Sequence, residues 1–403
     1  MSVLFVMPFW SAPSELWMQR MIEAIEDEIA LIASISPGER AWRGRIPTLD
    51  ISDSRPALWR RALRRAKLPI AAKPRKLGTS ALRKAIGSPR TDKVLVQYLD
   101  FAVRFTDVLS TTTKPIFVHC HGHDATWSMR LHHPLRQACF DSDYTRHVLG
   151  LCEKITVIAN SQTCAKRLTD LGVSPHRIIV KYLGVPVRSS APVPREHKTP
   201  LSILYLGRLV DCKGPDLVIR AFESACEGGL DAVLTIAGDG PLRLTCELMR
   251  ERSAFRDRIR MLGAVDEVTG EKLRAEADIF TAHNCFGPIA LQEEAFGVSI
   301  VEAMGAGLPV ITGRSGSMTE IITHGVNGIL VEPGNTEAHA QALLELGNDV
   351  ERRYQMGKAG WREAKSRFSM ERERAELRKI LGICGEGEET AQCPTTRTTV
   401  SLS

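Results

Sequence analysis

The sequence predicts an α/β protein built from two Rossmann-like domains that face each other across a cleft, and three observations predict it. Short apolar runs of strand length alternate with helical patterns in both halves of the 403 residues. A polar, proline-rich stretch with no periodicity, GVPVRSSAPVPREHKTPLS at 184–202, separates the two series. The length, with 43% hydrophobic and 25% charged residues, is enough for two ordinary cores.

In the first series, strands are predicted at 3–8, 29–35, 94–99, 115–119, 154–159 and 178–182. A helix at 17–25 follows the first strand, with Ser14 as its N-cap and Glu15 at the positive end of its dipole. The first domain is therefore placed at 1–185, a linker at 186–200 and the second domain at 201–361. Strands of the second series fall at 202–206, 232–237, 259–262, 279–282, 309–312 and 328–331. The segment 362–383, with a charged helix at 370–381, is expected to pack back on the first domain. Residues 384–403, rich in Gly, Glu, Thr and Ser, read as a disordered tail.

Composition narrows the function classes. The apolar first ten residues lack a basic leader and a small-residue cleavage site, so they read as a strand and not as a secretory signal. No apolar run reaches the roughly 18 residues of a membrane span. Ten cysteines occur without a C-x-x-C pair, and only Cys384 and Cys393 sit near each other, which suggests neither a disulfide framework nor a zinc knuckle. Reduced thiols point to the cytoplasm. Charge is unevenly placed: residues 55–93 hold thirteen Lys or Arg against the single acid Asp92, a net +12 in a chain of +6, so the remainder carries −6. This segment reads either as an arm for an anionic membrane surface, with Leu58, Trp59, Leu63 and Leu68 among the arginines, or as a solvated face beside the cleft. The first alternative would put the protein at the inner face of the membrane. Nucleic acid is not an expected partner, because no recognised module accompanies the charge.

The second half carries the specific signals. In YLGRLVDCKG at 205–214, Gly207 permits a tight turn at a strand end, and Arg208 and Lys213 are spaced to offer two cations to a diphosphate. AGDGP at 237–241 is a glycine turn that serves a close ligand approach or a plain turn equally well. In EEAFGVSIVEAMGAGLPVI at 293–311, Glu294 lies in a loop and Glu302 on the following helix. The helix N-terminus near Phe296 and Gly297 would direct backbone N–H groups into the same cleft. Two carboxylates would then meet sugar hydroxyls while amides meet oxyanions.

Residues 201–367 resemble the donor domain of the family-four retaining glycosyltransferases of the GT-B fold, particularly enzymes of exopolysaccharide and capsule synthesis. The resemblance rests on GRL…KG, AGDGP, the E-x7-E pattern of EAFGVSIVE, EAMGAGLPVI, the loop 313–320 and NGILVEPGN at 327–335. It implies that Arg208 and Lys213 bind a donor diphosphate, that Glu294 contacts donor-sugar hydroxyls and that Glu302 holds the ribose. It also implies that amides at Phe296 and Gly297 reach the sugar, while those around Ser299 and Ile300 lie near the phosphate.

In the first half, HCHGHD at 119–124 sits where a strand ends, the face at which α/β proteins bind ligands. Its three alternate histidines have a metal-like spacing, but Gly122 lies among them and no second ligand group is visible, so polar lining of a cleft is the expectation. The His-Gly-x-Asp pattern resembles the family's acceptor-side motif, which makes His121 the histidine beside the donor sugar. Asp124 either orients it, binds acceptor hydroxyls or caps the loop. The first loop, SAPSE at 11–15, departs from the glycine-rich turn of many family members, and Ser14 is the residue left to substitute for it.

Together these readings imply a metal-independent retaining transferase with no cofactor, taking a nucleotide-sugar donor and a glycan or lipid-linked acceptor. Two rivals stand beside it: a glycosyl phosphorylase of the same fold and a catalytically silent sugar-nucleotide-binding subunit.

Overall fold

The computed structural model describes residues 1–8, 16–35, 45–52, 78–125, 144–194 and 199–383. Two parallel sheets form it. The first has seven strands: β1 (Val3–Met7), β2 (Ile29–Ser34), β3 (Thr48–Asp50), β4 (Lys93–Gln97), β5 (Ile116–Cys120), β6 (Thr156–Ala159) and β7 (Ile178–Val180). The second has six: β8 (Leu201–Leu206), β9 (Ala232–Ala237), β10 (Ile259–Gly263), β11 (Ile279–Thr281), β12 (Val310–Gly313) and β13 (Ile329–Val331). Central strands are buried along their whole length, as VLFVM in β1 and IFVHC in β5 are, because helices cover both faces of a parallel sheet.

Strand order is β3-β2-β1-β4-β5-β6-β7 in the first sheet and β10-β9-β8-β11-β12-β13 in the second. In each, the chain winds outward from its first strand and then returns to that strand's other side. The switch points therefore lie between β1 and β4 and between β8 and β11. Ligands of open α/β sheets bind at the carboxyl ends of strands at such points. Gln97 and Tyr98 end β4, Gly207 and Arg208 follow β8, and His283 and Asn284 follow β11.

Some expectations need correction. β3 was not foreseen, since TLD on a partly exposed edge has one apolar residue and makes no apolar run. β4 stops at Gln97, where Tyr98 takes φ of +71°, a conformation rare for a side-chain-bearing residue, although its amide still donates to the His119 carbonyl in the register of the ladder. The proline-rich composition suggests a free linker from 186, yet this stretch begins tied down. Val185 N–H donates to Phe368 O, Arg188 N–H donates to Gly305 O, and the Trp361 indole donates to Arg188 O. Local composition does not reveal such long-range partners.

The segment 362–383 is not one helix. Residues through Arg367 complete Val350–Arg367, and a new helix, Met370–Leu381, starts from Ser369, whose hydroxyl accepts from Arg372 N–H. This last helix lies against the first half. Glu373 takes hydrogen bonds from buried Lys181 and from Gly184 N–H at 2.8 Å, and Arg378 reaches Glu28. Ser14, the first loop, most of the basic segment and the tail lie outside the described residues.

Candidate donor and acceptor site

Both halves line a cavity of about 250 Å³ between the two switch points. Trp17, Arg20, His121 and Asn160 come from the first half; Gly207, Arg208, Lys213, Glu294, Phe296, Gly297, Ser299 and Glu302 come from the second.

Glu294 sits among donors. Lys213 Nζ bonds its Oε2, the Asn284 amide donates to the same oxygen at 3.2 Å, and Gly297 N–H donates to Oε1 at 3.0 Å. Burial alone would push this carboxyl up. The Lys213 ammonium, by charge and hydrogen bond, then Arg208 and the Gly297 amide, outweigh burial and hold it below its ordinary value. Glu294 is thus an anion placed to accept hydrogen bonds.

The following helix, Val298–Gly305, begins at Gly297, whose φ of +78° would strain any other residue and whose Cβ would meet Met318 Cε at 2.6 Å. Not all its first amides are open to a ligand. Gly297 N–H is engaged by Glu294, and Ile300 N–H closes onto Gly297 O at 2.9 Å with its side chain in the core. The first-turn amides without intrahelical partners are those of Val298 and Ser299, both on the cavity wall. The amides of Gly297 and Ile300 are thus already hydrogen-bonded within the protein.

Glu302 is nearly buried between two guanidinium groups. Arg274 Nη1 lies 3.1 Å from Oε2, and Arg20 Nη1, from the opposite half, lies 2.8 Å from Oε1. Arg20 also bridges to Glu267 at 2.8 Å. The signal for Arg20 was present in the sequence: it is the one charge on the inward face of Leu16–Ala24, beside Trp17 and Met21.

On the first half, the β5 strand runs through His119 to Cys120, so the alternation of histidines breaks there. His119 is fully buried in the strand, His121 reaches the cavity and His123 enters a short 3-10 turn. Among the described residues no group of three or more potential ligands could hold a metal ion. His121 Nε2 lies 3.1 Å from Gln97 Oε1, and its ring lies 3.9 Å from that of Trp17 and 4.8 Å from that of Tyr98. Burial, then the Lys181 charge, lower its pKa well below the ordinary value, so it is a neutral imidazole. With Gln97 as acceptor, Nε2 carries the proton, leaving Nδ1 an acceptor with no protein partner.

Asp124 does not line the cavity. It is fully buried and caps the loop, accepting from Leu99 N–H at 2.8 Å and from His121 N–H at 2.9 Å. Of its three expected roles, the hydrogen bonds seen are those of loop capping, and through the His121 amide they also fix that residue's backbone. Gly122, with φ of +98°, brings this loop against the glutamate loop: a Cβ there would stand 2.1 Å from Ala295 Cβ. In AGDGP, Gly238 packs on the carbonyl of the cavity residue Gly207, where a Cβ would clash.

A buried histidine pair supports Lys213 from behind. Gly334 N–H donates to His283 Nε2 at 2.8 Å, so His283 Nδ1–H donates to His339 Nδ1 at 2.8 Å, and His339 Nε2–H donates to Thr281 Oγ1 at 2.6 Å. His283 N–H in turn donates to the Lys213 carbonyl at 3.2 Å.

Comparison with known proteins places this geometry. The family model of the group 1 glycosyl transferases matches residues 188–362. An uncharacterized glycosyltransferase of Methanocaldococcus jannaschii is 37% identical over 147 residues, 36% of this chain and 36% of that protein. The chain therefore spans well under half the length of that relative. A GDP-mannose-dependent monoacylated alpha-(1-6)-phosphatidylinositol monomannoside mannosyltransferase of Corynebacterium glutamicum is 28% identical over 280 residues, 66% of this chain and 69% of that protein. The crystal structure of HepE from Anabaena in complex with UDP-glucose superposes with a TM-score of 0.73 at 18% identity, covering 95% of this chain and 100% of HepE. That likeness shows the GT-B fold.

Proposed function

We propose, for a chain whose residues 188–362 match the family model of the group 1 glycosyl transferases, that it transfers a sugar from a nucleotide-diphosphate donor to a glycan or lipid-linked acceptor. The setting proposed is exopolysaccharide or cell-envelope glycan synthesis, in the cytoplasm or at the inner face of the membrane. The observation that carries this is the convergence in one cavity of Arg208, Lys213, Glu294, the Val298 and Ser299 amides and Glu302, opposite the neutral His121.

A nucleoside diphosphate leaves with negative charge building on its phosphates, so the site must place positive charge and N–H groups where that charge develops. Arg208, Lys213 and the first-turn amides meet this need without a metal ion. Glu294 is an anion with two oxygens already oriented by Lys213, Asn284 and Gly297, which suits it to holding sugar hydroxyls and not to protonating a leaving group. Glu302 takes the ribose. His121 offers Nδ1 to a hydroxyl of the donor sugar. Retention of configuration follows if the acceptor attacks from the leaving-group face, with the departing phosphate taking its proton.

The relatives differ in donor: the Corynebacterium enzyme is GDP-mannose-dependent, and HepE is complexed with UDP-glucose. Thermal shift of the purified protein with UDP, GDP, ADP and their sugars, with and without EDTA, tests the proposal. Stabilisation by one nucleotide that survives EDTA and is lost in Glu302→Ala supports it. Absence of stabilisation by every nucleotide would overturn the donor site.

A further inference from the structure

Glu320 ends the 313–320 loop and lies in the short helix Met318–Ile321 of the second half, away from the cavity lining. Every side-chain hydrogen bond recorded for its carboxylate comes from the other half. Oε2 accepts from Gln162 N–H at 2.9 Å and from the Tyr182 hydroxyl at 3.0 Å; Oε1 accepts from Thr163 N–H at 3.1 Å and from the Thr163 hydroxyl at 2.9 Å. Gln162 and Thr163 are the first two residues of the helix Gln162–Asp170, whose next amide, Cys164 N–H, is capped by Ser161. One carboxylate of the second half thus completes a helix N-terminus of the first.

The same helix makes a second crossing. Arg167 Nη2 lies 2.8 Å from Glu293, the residue before the sugar-binding candidate Glu294. It also packs under the acceptor-side loop, with Cys164 Sγ 3.7 Å from Cys120 Sγ, next in sequence to His121. The helix therefore touches, through side chains, both the residue before His121 and the residue before Glu294.

We propose that Glu320 is a positioning residue, an interdomain latch that docks the Gln162–Asp170 helix on the second half and so sets His121 opposite Glu294. The closed cleft is stabilised by this carboxylate from outside the donor pocket. Part of the test rests on the transferase reading above, so it is built with a readout that does not need activity.

Small-angle scattering of the full chain, without ligand and with saturating UDP or GDP, is measured for wild type, Glu320→Gln, Thr163→Ala and Tyr182→Phe. The amide of Glu320→Gln meets N–H donors with a group that is itself a donor, so the ligand-free variant expands. The other two variants remove one hydroxyl each and expand less, and they keep the test available if Glu320→Gln does not fold. Because a displacement of about 1 Å at a reacting centre costs roughly a hundredfold in rate, kcat is expected to fall by that order in Glu320→Gln. Nucleotide affinity changes less than about threefold, as Glu320 does not touch the pocket. Scattering curves of all variants that overlay wild type would overturn the latch. A loss carried wholly by nucleotide affinity would overturn it too. Expansion in the variants, in a protein that transfers no sugar, would sustain the latch and remove the transferase reading.

Discussion

Replacing Glu302 with glutamine removes one negative charge from between two guanidinium groups and leaves the shape of the site nearly unchanged. Its side chain is 10% exposed, and those of Arg20 and Arg274 are 7% each, so neither cation regains much water when the carboxylate goes. Arg20 keeps Glu267, which is 43% exposed and worth at most about 1 kcal/mol. Arg274 keeps no other ion pair among the described residues. Removing one partner of a buried pair costs about 3–5 kcal/mol. The remaining Glu267 contact puts this case near the lower end, about 3 kcal/mol. For a domain of this size each kcal/mol moves the melting point by roughly 2–4 °C, so Glu302→Gln should melt about 6–12 °C lower without any ligand. The double variant Arg20→Met, Glu302→Gln should lose less than the sum of the single losses, because each single change strands the other's charge. Calorimetric melts of the four proteins check this. A Glu302→Gln protein melting within about 1 °C of wild type would refute the buried-counterion reasoning.

Three further predictions follow from the packing. Burial holds His283 down to about 4, and burial with the His283 charge holds His339 down to about 3. Both are therefore neutral when folded, while the unfolded chain takes up protons near pH 6.5. Stability should fall as pH drops from about 6.5 to 4, by about 3 kcal/mol from His283 alone, and urea midpoints of His339→Gln should show a shallower slope. Parallel slopes would contradict this. Gly122→Ala places a Cβ 2.1 Å from Ala295 at φ of +98°, so it should lower transfer activity while leaving the far-UV spectrum intact; unchanged turnover would show that the two loops separate freely. Glu373→Ala strands Lys181, which is fully buried, and should cost about 3–5 kcal/mol, read from urea denaturation.

The fold was legible because its signal is local and repeated. Each of twelve strands is an apolar run bounded by a turn, whereas Thr48–Asp50 holds a single apolar residue, Leu49. The cavity residues were legible for a similar reason: Arg208 and Lys213, and Glu294 and Glu302, sit within contiguous segments whose spacing is set by one turn or one helix. What the sequence did not disclose are the partners that cross between halves. Arg20 meets Glu302 across 282 positions, and Gln162 meets Glu320 across 158. No period or spacing encodes such pairs. A lone arginine on an apolar helix face, and a glutamate closing a glycine loop, are the marks they leave.

Those crossing pairs also bear on how the cavity stands ready for an anionic ligand. In the described structure Lys213 is held by Glu294 and Arg20 by Glu302, while Arg208 is exposed and acts on Glu294 through its charge. On the proposed function, a diphosphate would meet a Lys213 already paired with Glu294, and a ribose would meet a carboxylate that already has two guanidinium donors. Binding would then be an exchange of partners and not the first neutralisation of buried charge, which keeps the ligand-free site from carrying unpaired buried charge. Since Arg20 belongs to one half and Glu302 to the other, a ribose that displaces Arg20 removes one tie across the cleft at the moment it enters. The Glu320 contact lies outside the pocket and is untouched by that exchange, so the halves can remain docked while the donor is seated. Arg20→Met should then weaken closure only in the ligand-free protein, whereas Glu320→Gln should weaken it with and without nucleotide. Scattering of both variants at saturating nucleotide separates the two, and equal expansion in both states for Arg20→Met would show that Arg20 is a plain structural tie.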